Sequence, residues 1–79
     1  MPAPVSASAA MEENYKNIVL MFQAAGFDNI QAEGAKDLIT GLLTPEGTVF
    51  EISINGDTGF SKGELFPGDA LVRIVFHSF

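Results

Sequence analysis

The stretch MEENYKNIVLMFQAAGF, residues 11 to 27, decides how the rest of the chain must fold. Met11, Tyr15, Ile18, Val19 and Phe22 recur at the three- and four-residue spacing of one helix face, with Ala25 at its margin. Gly26 stands where a left-handed residue would close that helix, and Glu12 and Glu13 fall in the expected first turn, where the helix dipole favours negative charge. At the start of this helix no Ser or Thr stands three residues before a Glu or Gln to form a capping box, which leaves Asn14 and Ser8 as candidate caps. An amphipathic helix has one side to bury and needs a partner layer.

C-terminal to it, the alternation supplies that layer. FDNIQAE sets Ile30 and Ala32 against Gln31 and Glu33 and reads as a short half-buried strand. DLITGLL is open between a strand and a turn-rich crossing. Pro45 and Gly47 in TPEGT suit a tight turn that feeds a strand over residues 48 to 54, with Phe50, Ile52 and Ile54 expected on one face and Val49, Glu51 and Ser53 on the other. The last run behaves likewise: Val72, Ile74 and Phe76 oppose Arg73, Val75 and His77. Between these strands, NGDTGFSKGELFPGD is a loop or wide hairpin connection with Phe60 and Phe66 as apolar anchors. The pattern predicts an α+β, two-layer domain over residues 11–79, one helix packed on a small sheet of about three strands.

N-terminal to the helix, MPAPVSASAA offers Pro, Ala and Ser with a single Val. Such a composition predicts a flexible tail or linker over residues 1–10, unless Val5 joins a sheet edge. The same stretch lacks the basic and apolar regions of a secretory signal. The longest apolar runs fall far short of the ~20 residues that span a bilayer, so no membrane insertion by this chain is expected.

Composition bounds function. The 79 residues allow one small domain, and 47% hydrophobic residues with seven Phe are enough for a core. Ten acidic residues against four basic ones give a formal charge of −6, which repels phosphate backbones and argues against a nucleic-acid partner. The lack of Cys removes thiolate nucleophiles, thiolate metal sites and disulfides, and fits either side of a membrane.

The order helix, GF-NI, Gly-Thr-Val strand, Gly-rich loop and closing V-x-I strand resembles PASTA domains over roughly residues 14 to 79. More closely, NYKNIVLMFQAAGFDNI, KDLITGLL, FEISING and VRIVFHSF are similar to an uncharacterised PASTA-like repeat of Gram-positive bacterial envelope proteins. Its recurring positions here hold Tyr15, Lys16, Asp37, Leu38, Ile39, Gly41, Phe76 and His77. The Val-Pro opening strand of an ordinary PASTA domain is replaced by APVSASA. The resemblance implies an extracytoplasmic, non-enzymatic binding or spacer module with no catalytic residues. The partner it implies is a cell-wall component or a neighbouring domain.

Individual residues agree with a module that binds without reacting. His77 is the one histidine, has no Cys or second His with which to share a metal, and ends a strand on its polar side. Asn55 to Gly59, NGDTG, imitates the opening of a calcium loop, but Phe66 stands where the bidentate Glu belongs. Ser53, Ser61 and Ser78 have no visible base, and the glycines lack nucleotide-loop spacing. No cofactor or metal is expected. Apolar residues on faces that should be wet stand out more: Leu20 on the far side of the helix, and Val49, Val75 and Phe79 on the sheet side away from it. With His77 these form a candidate contact surface for a neighbouring repeat, a weakly associating second copy, or an extended ligand at a strand edge. The alternative is a free-standing small protein acting through protein contacts, as an inhibitor or assembly factor.

Overall fold

A computed structural model of the chain describes residues 1–11, 13–36 and 46–78. Five elements follow in order: α1 (Ala7–Ala10), α2 (Tyr15–Ala24), β1 (Ile30–Gly34), β2 (Val49–Ile54) and β3 (Val72–Phe76). The three strands form one mixed sheet in the order β1-β3-β2, with β3 parallel to β1 and antiparallel to β2. Helix α2 lies over β1 and β3, and α1 lies over β2. The fold is therefore the expected α+β arrangement of helix against small sheet.

Helix α2 begins later than the apolar spacing predicts. Asn14 is its N-cap, accepting the Lys16 amide on Oδ1 at 2.9 Å, so Glu13 precedes the helix and its first turn holds no acid. Met11 instead caps the C-terminus of α1 in extended backbone. The far end is as the sequence predicts. Gly26 adopts φ +102°, its amide donates to the Gln23 carbonyl, and the Phe27 amide donates to the Phe22 carbonyl. Those two bonds define a Schellman closure, and its accompanying apolar contact is the edge-on Phe22–Phe27 ring pair at 5.3 Å.

From that pair the core extends along the sheet. Phe22 also meets Phe60 edge-on at 6.2 Å, and Phe60 meets Phe66 at 6.3 Å, so the two predicted loop anchors hold the Gly-rich connection down. Ile18, Ile52, Ile54, Val72 and Ile74 complete the interior. The turn at Asn55-Gly56 has both residues at positive φ (51° and 84°) between reciprocal Ile54 and Asp57 backbone bonds, a geometry that suits Asn followed by Gly.

Residues 1–10, whose composition reads as a flexible tail or linker, pack against the core. Ala3, Ala7 and Ala10 are buried in the main core. The segment runs beside the loop at 60–66: the Ala3 amide donates to Glu64 and the Gly63 amide to Ala3, both at 2.9 Å. The Phe66 amide donates to Met1 and the Ala7 amide to Phe60. Ser6 caps α1 by accepting the Ala9 amide. The segment lacks large side chains, but alanines let its backbone approach the core while its amides find partners. The pairing runs through Pro2 and Leu65, whereas Val5 is half-buried against the core.

A second correction concerns β2. Val49 faces Phe76 across the ladder and Glu51 faces Val75, so Phe50 is an extra residue in a β-bulge. The bulge reverses the strand's facing at its start. Val49 turns inward with Ile52 and Ile54 and is 1% exposed, while Phe50 turns out.

Candidate functional site

The face of the sheet turned away from the helices carries a row of polar and charged side chains. Gln31 and Glu33 come from β1, Arg73 and Val75 from β3, Glu51 and Ser53 from β2. Arg73 Nη2 donates to Glu33 Oε2 at 2.9 Å in an exposed ion pair. Such a pair contributes little to stability, ~0–1 kcal/mol, yet fixes where both charges sit. At the lower end of the face the Phe50 ring, 39% exposed, stacks on the His77 imidazole at 4.4 Å and 24°. The bulge puts Phe50 there. The His77 backbone is held on both sides, its amide donating to Thr48 and its carbonyl accepting from Gly47.

Of the predicted contact residues, Leu20 is exposed on α2 and His77 lies half-buried on the outer face. Val49 is corrected: it belongs to the core. Val75 does face away from the helix layer but is only 6% exposed, so it offers no contact area. Phe79 lies outside the described residues, as do Asp37, Leu38, Ile39 and Gly41 of the PASTA-like pattern and the whole DLITGLL segment. Sequence reasoning missed Phe50, because its alternation with Ile52 and Ile54 reads as core unless the bulge is known. It also missed Leu65, which is highly exposed at the tip of the bridge with Pro2.

Other pattern residues gather at the start of α2. Tyr15 stacks on Phe76 with ring centroids 3.7 Å apart and planes within 7°. Both rings line a shallow groove of ≈200 Å³ with Asn14, Lys16, Glu46 and Gly47. A second, open groove of ≈400 Å³ is rimmed by Ser6, Ser8, Thr58 and Ser61 over Ala7, Met11 and Phe60. Three of the polar side chains singled out in the sequence have backbone partners. Asn55 Oδ1 accepts the Leu71 amide, Asp57 Oδ1 accepts the Gly59 amide, and Ser78 Oγ accepts the Lys36 amide. The loop that imitates a calcium site thus uses its first two oxygen ligands on backbone amides, one beyond the loop at Leu71 and one within it at Gly59. No helix among the described residues is long and apolar enough to cross a membrane.

Comparison of the chain with protein-family models, with curated proteins and with solved structures found no match.

Proposed function

We propose that the chain is a non-enzymatic binding or spacer module of the kind the PASTA-like pattern implies for a bacterial cell-envelope protein. The observation that carries the binding role is the Phe50–His77 stack, an aromatic platform on the same sheet face as the Arg73–Glu33 pair. A flat ring with polar groups at its margin suits the apolar face of a sugar or a short peptide stem. The net charge of −6 disfavours anionic wall polymers. The spacer role draws on the shape, 40 × 20 × 19 Å. Met1 packs by Gly26 and Gly68 near the start of β3, and Ser78 packs by Gly34 near its finish. Segments attached at the two positions would be held apart by the length of the sheet.

The test is a titration with soluble peptidoglycan fragments, read by backbone amide spectra of the protein and of Phe50→Ala. Binding is expected to shift amides of residues 48–51 and 73–77, and to be lost in the variant without loss of fold. Turnover of any fragment contradicts the non-enzymatic reading, and unshifted spectra contradict the binding role. The second reading, a free-standing protein that acts by protein contact, is favoured by the exposed Leu20 and Leu65, which lie away from that platform.

A further inference from the structure

Strand β1 is an edge strand, and its register with β3 fixes which of its backbone groups are spent. The Val72 amide donates to the Asn29 carbonyl and the Ala35 amide to the Phe76 carbonyl, bracketing a regular parallel ladder from Ile30↔Val72 to Gly34↔Phe76. Parallel pairing uses alternate residues, so Asn29, Gln31, Glu33 and Ala35 turn their amides and carbonyls to β3. Ile30, Ala32 and Gly34 turn theirs to the open side, where no strand among the described residues pairs with them.

Natural edges are usually blunted by Lys, Pro, a bulge or a covering segment. The outer edge of β2 has two of these. Its start is bulged, and Val49 and Gly47 are bonded to Glu13 and Tyr15. Residues 30–34 have no Lys, no Pro and no register shift, and Gln31 to Glu33 are exposed.

We propose that this edge pairs with the same edge of a second copy, antiparallel about a two-fold axis at Ala32. That register is self-complementary. Ala32 faces Ala32 and Ile30 faces Gly34, which places all three open residues in hydrogen-bonded pairs and forms about six main-chain bonds. On the outer face, Glu33, already held by Arg73, falls opposite the partner copy's Gln31, so an amide meets a carboxylate and like charges are kept apart. Shifting the axis to residue 33 would set Glu33 against Glu33. Ile30 falls opposite Gly34, where the Ser78 side chain already fills the place of a Cβ. The contact is short and both copies are acidic, so the dimer is weak, with Kd of about 0.1–1 mM, and tightens as salt screens the charge. It is independent of ligand binding at Phe50 and His77.

The test is amide exchange with sedimentation velocity on the whole chain, from ~10 µM to ~1 mM, a range that spans the expected Kd. At low concentration Gln31 and Glu33 amides should be protected and Ile30, Ala32 and Gly34 amides should exchange quickly. Raising the concentration should slow those three as dimer appears. Gln31→Glu, which places acid against Glu33, should weaken the dimer about tenfold, and Gln31→Lys should strengthen it. Ala32→Pro should give a monomer at every concentration, and the two Gln31 variants decide the matter if that variant does not fold. A protein that stays monomeric to ~1 mM at high salt, where repulsion is screened, would overturn the proposal. So would association that leaves the three amides fast, or protection that only an added extended peptide brings.

Discussion

The first ten residues of the chain and the ten residues of α2 lie on the same core by different means. Helix α2 drives Ile18 and Phe22 into the interior, and its hold is the apolar surface of those side chains. The N-terminal segment contributes three alanine methyls and a set of backbone bonds to the loop at 60–66. One is a side-chain element and the other a main-chain element. A periodic pattern announces the first, whereas the second leaves almost no trace in composition, because alanine and proline look alike in a tail and in a close-packed strap.

The comparison can be broken most directly by removing the strap. Deleting residues 1–8 takes away the bonds at Met1, Ala3 and Ala7, each worth ~0.5–1.5 kcal/mol, along with the burial of Ala3 and Ala7. A loss of roughly 3–6 kcal/mol is expected, enough to abolish cooperative urea unfolding in a domain this small. The tail reading predicts less than ~1 kcal/mol. On the side-chain half of the comparison, Phe22→Ala should cost ~3–5 kcal/mol and Ile52→Ala or Ile74→Ala ~2–5 kcal/mol, measured the same way.

How much of this was legible follows from the same distinction. The helix face from Tyr15 to Phe22, its Gly26 closure, both faces of β3 and the anchors Phe60 and Phe66 are written in side-chain character and stand where the sequence puts them, while the helix start does not. The facing of β2 was legible for Ile52 and Ile54 and lost at Val49 and Phe50. A bulge is one extra residue in a ladder, and no residue type marks it. That single step turned Phe50 to the outer face of the candidate site and Val49 into the core. His77 was legible as a strand-end residue on the outer face, but its stacking partner was not.

A smaller effect sharpens that point. Val49→Ala should cost ~2 kcal/mol, from two buried methyls and the gap they leave, while Phe50→Ala should cost under ~1 kcal/mol and mainly affect binding. Equal costs would place the bulge elsewhere. Ala10→Leu probes the close approach of the strap and should cost ~1–3 kcal/mol by overpacking a fully buried site. The smallest change expected is Arg73→Ala, under ~1 kcal/mol, since its pair with Glu33 is exposed.

Native-state amide exchange along the strap tests the main-chain account most directly. The amides of Ala3, Ala7, Gly63 and Phe66 should be protected and should open together with those of β3, as parts of one cooperative unit. Exchange at those four positions at the rate of an unstructured peptide, with β3 still protected, would contradict it and return residues 1–10 to the role of a tail.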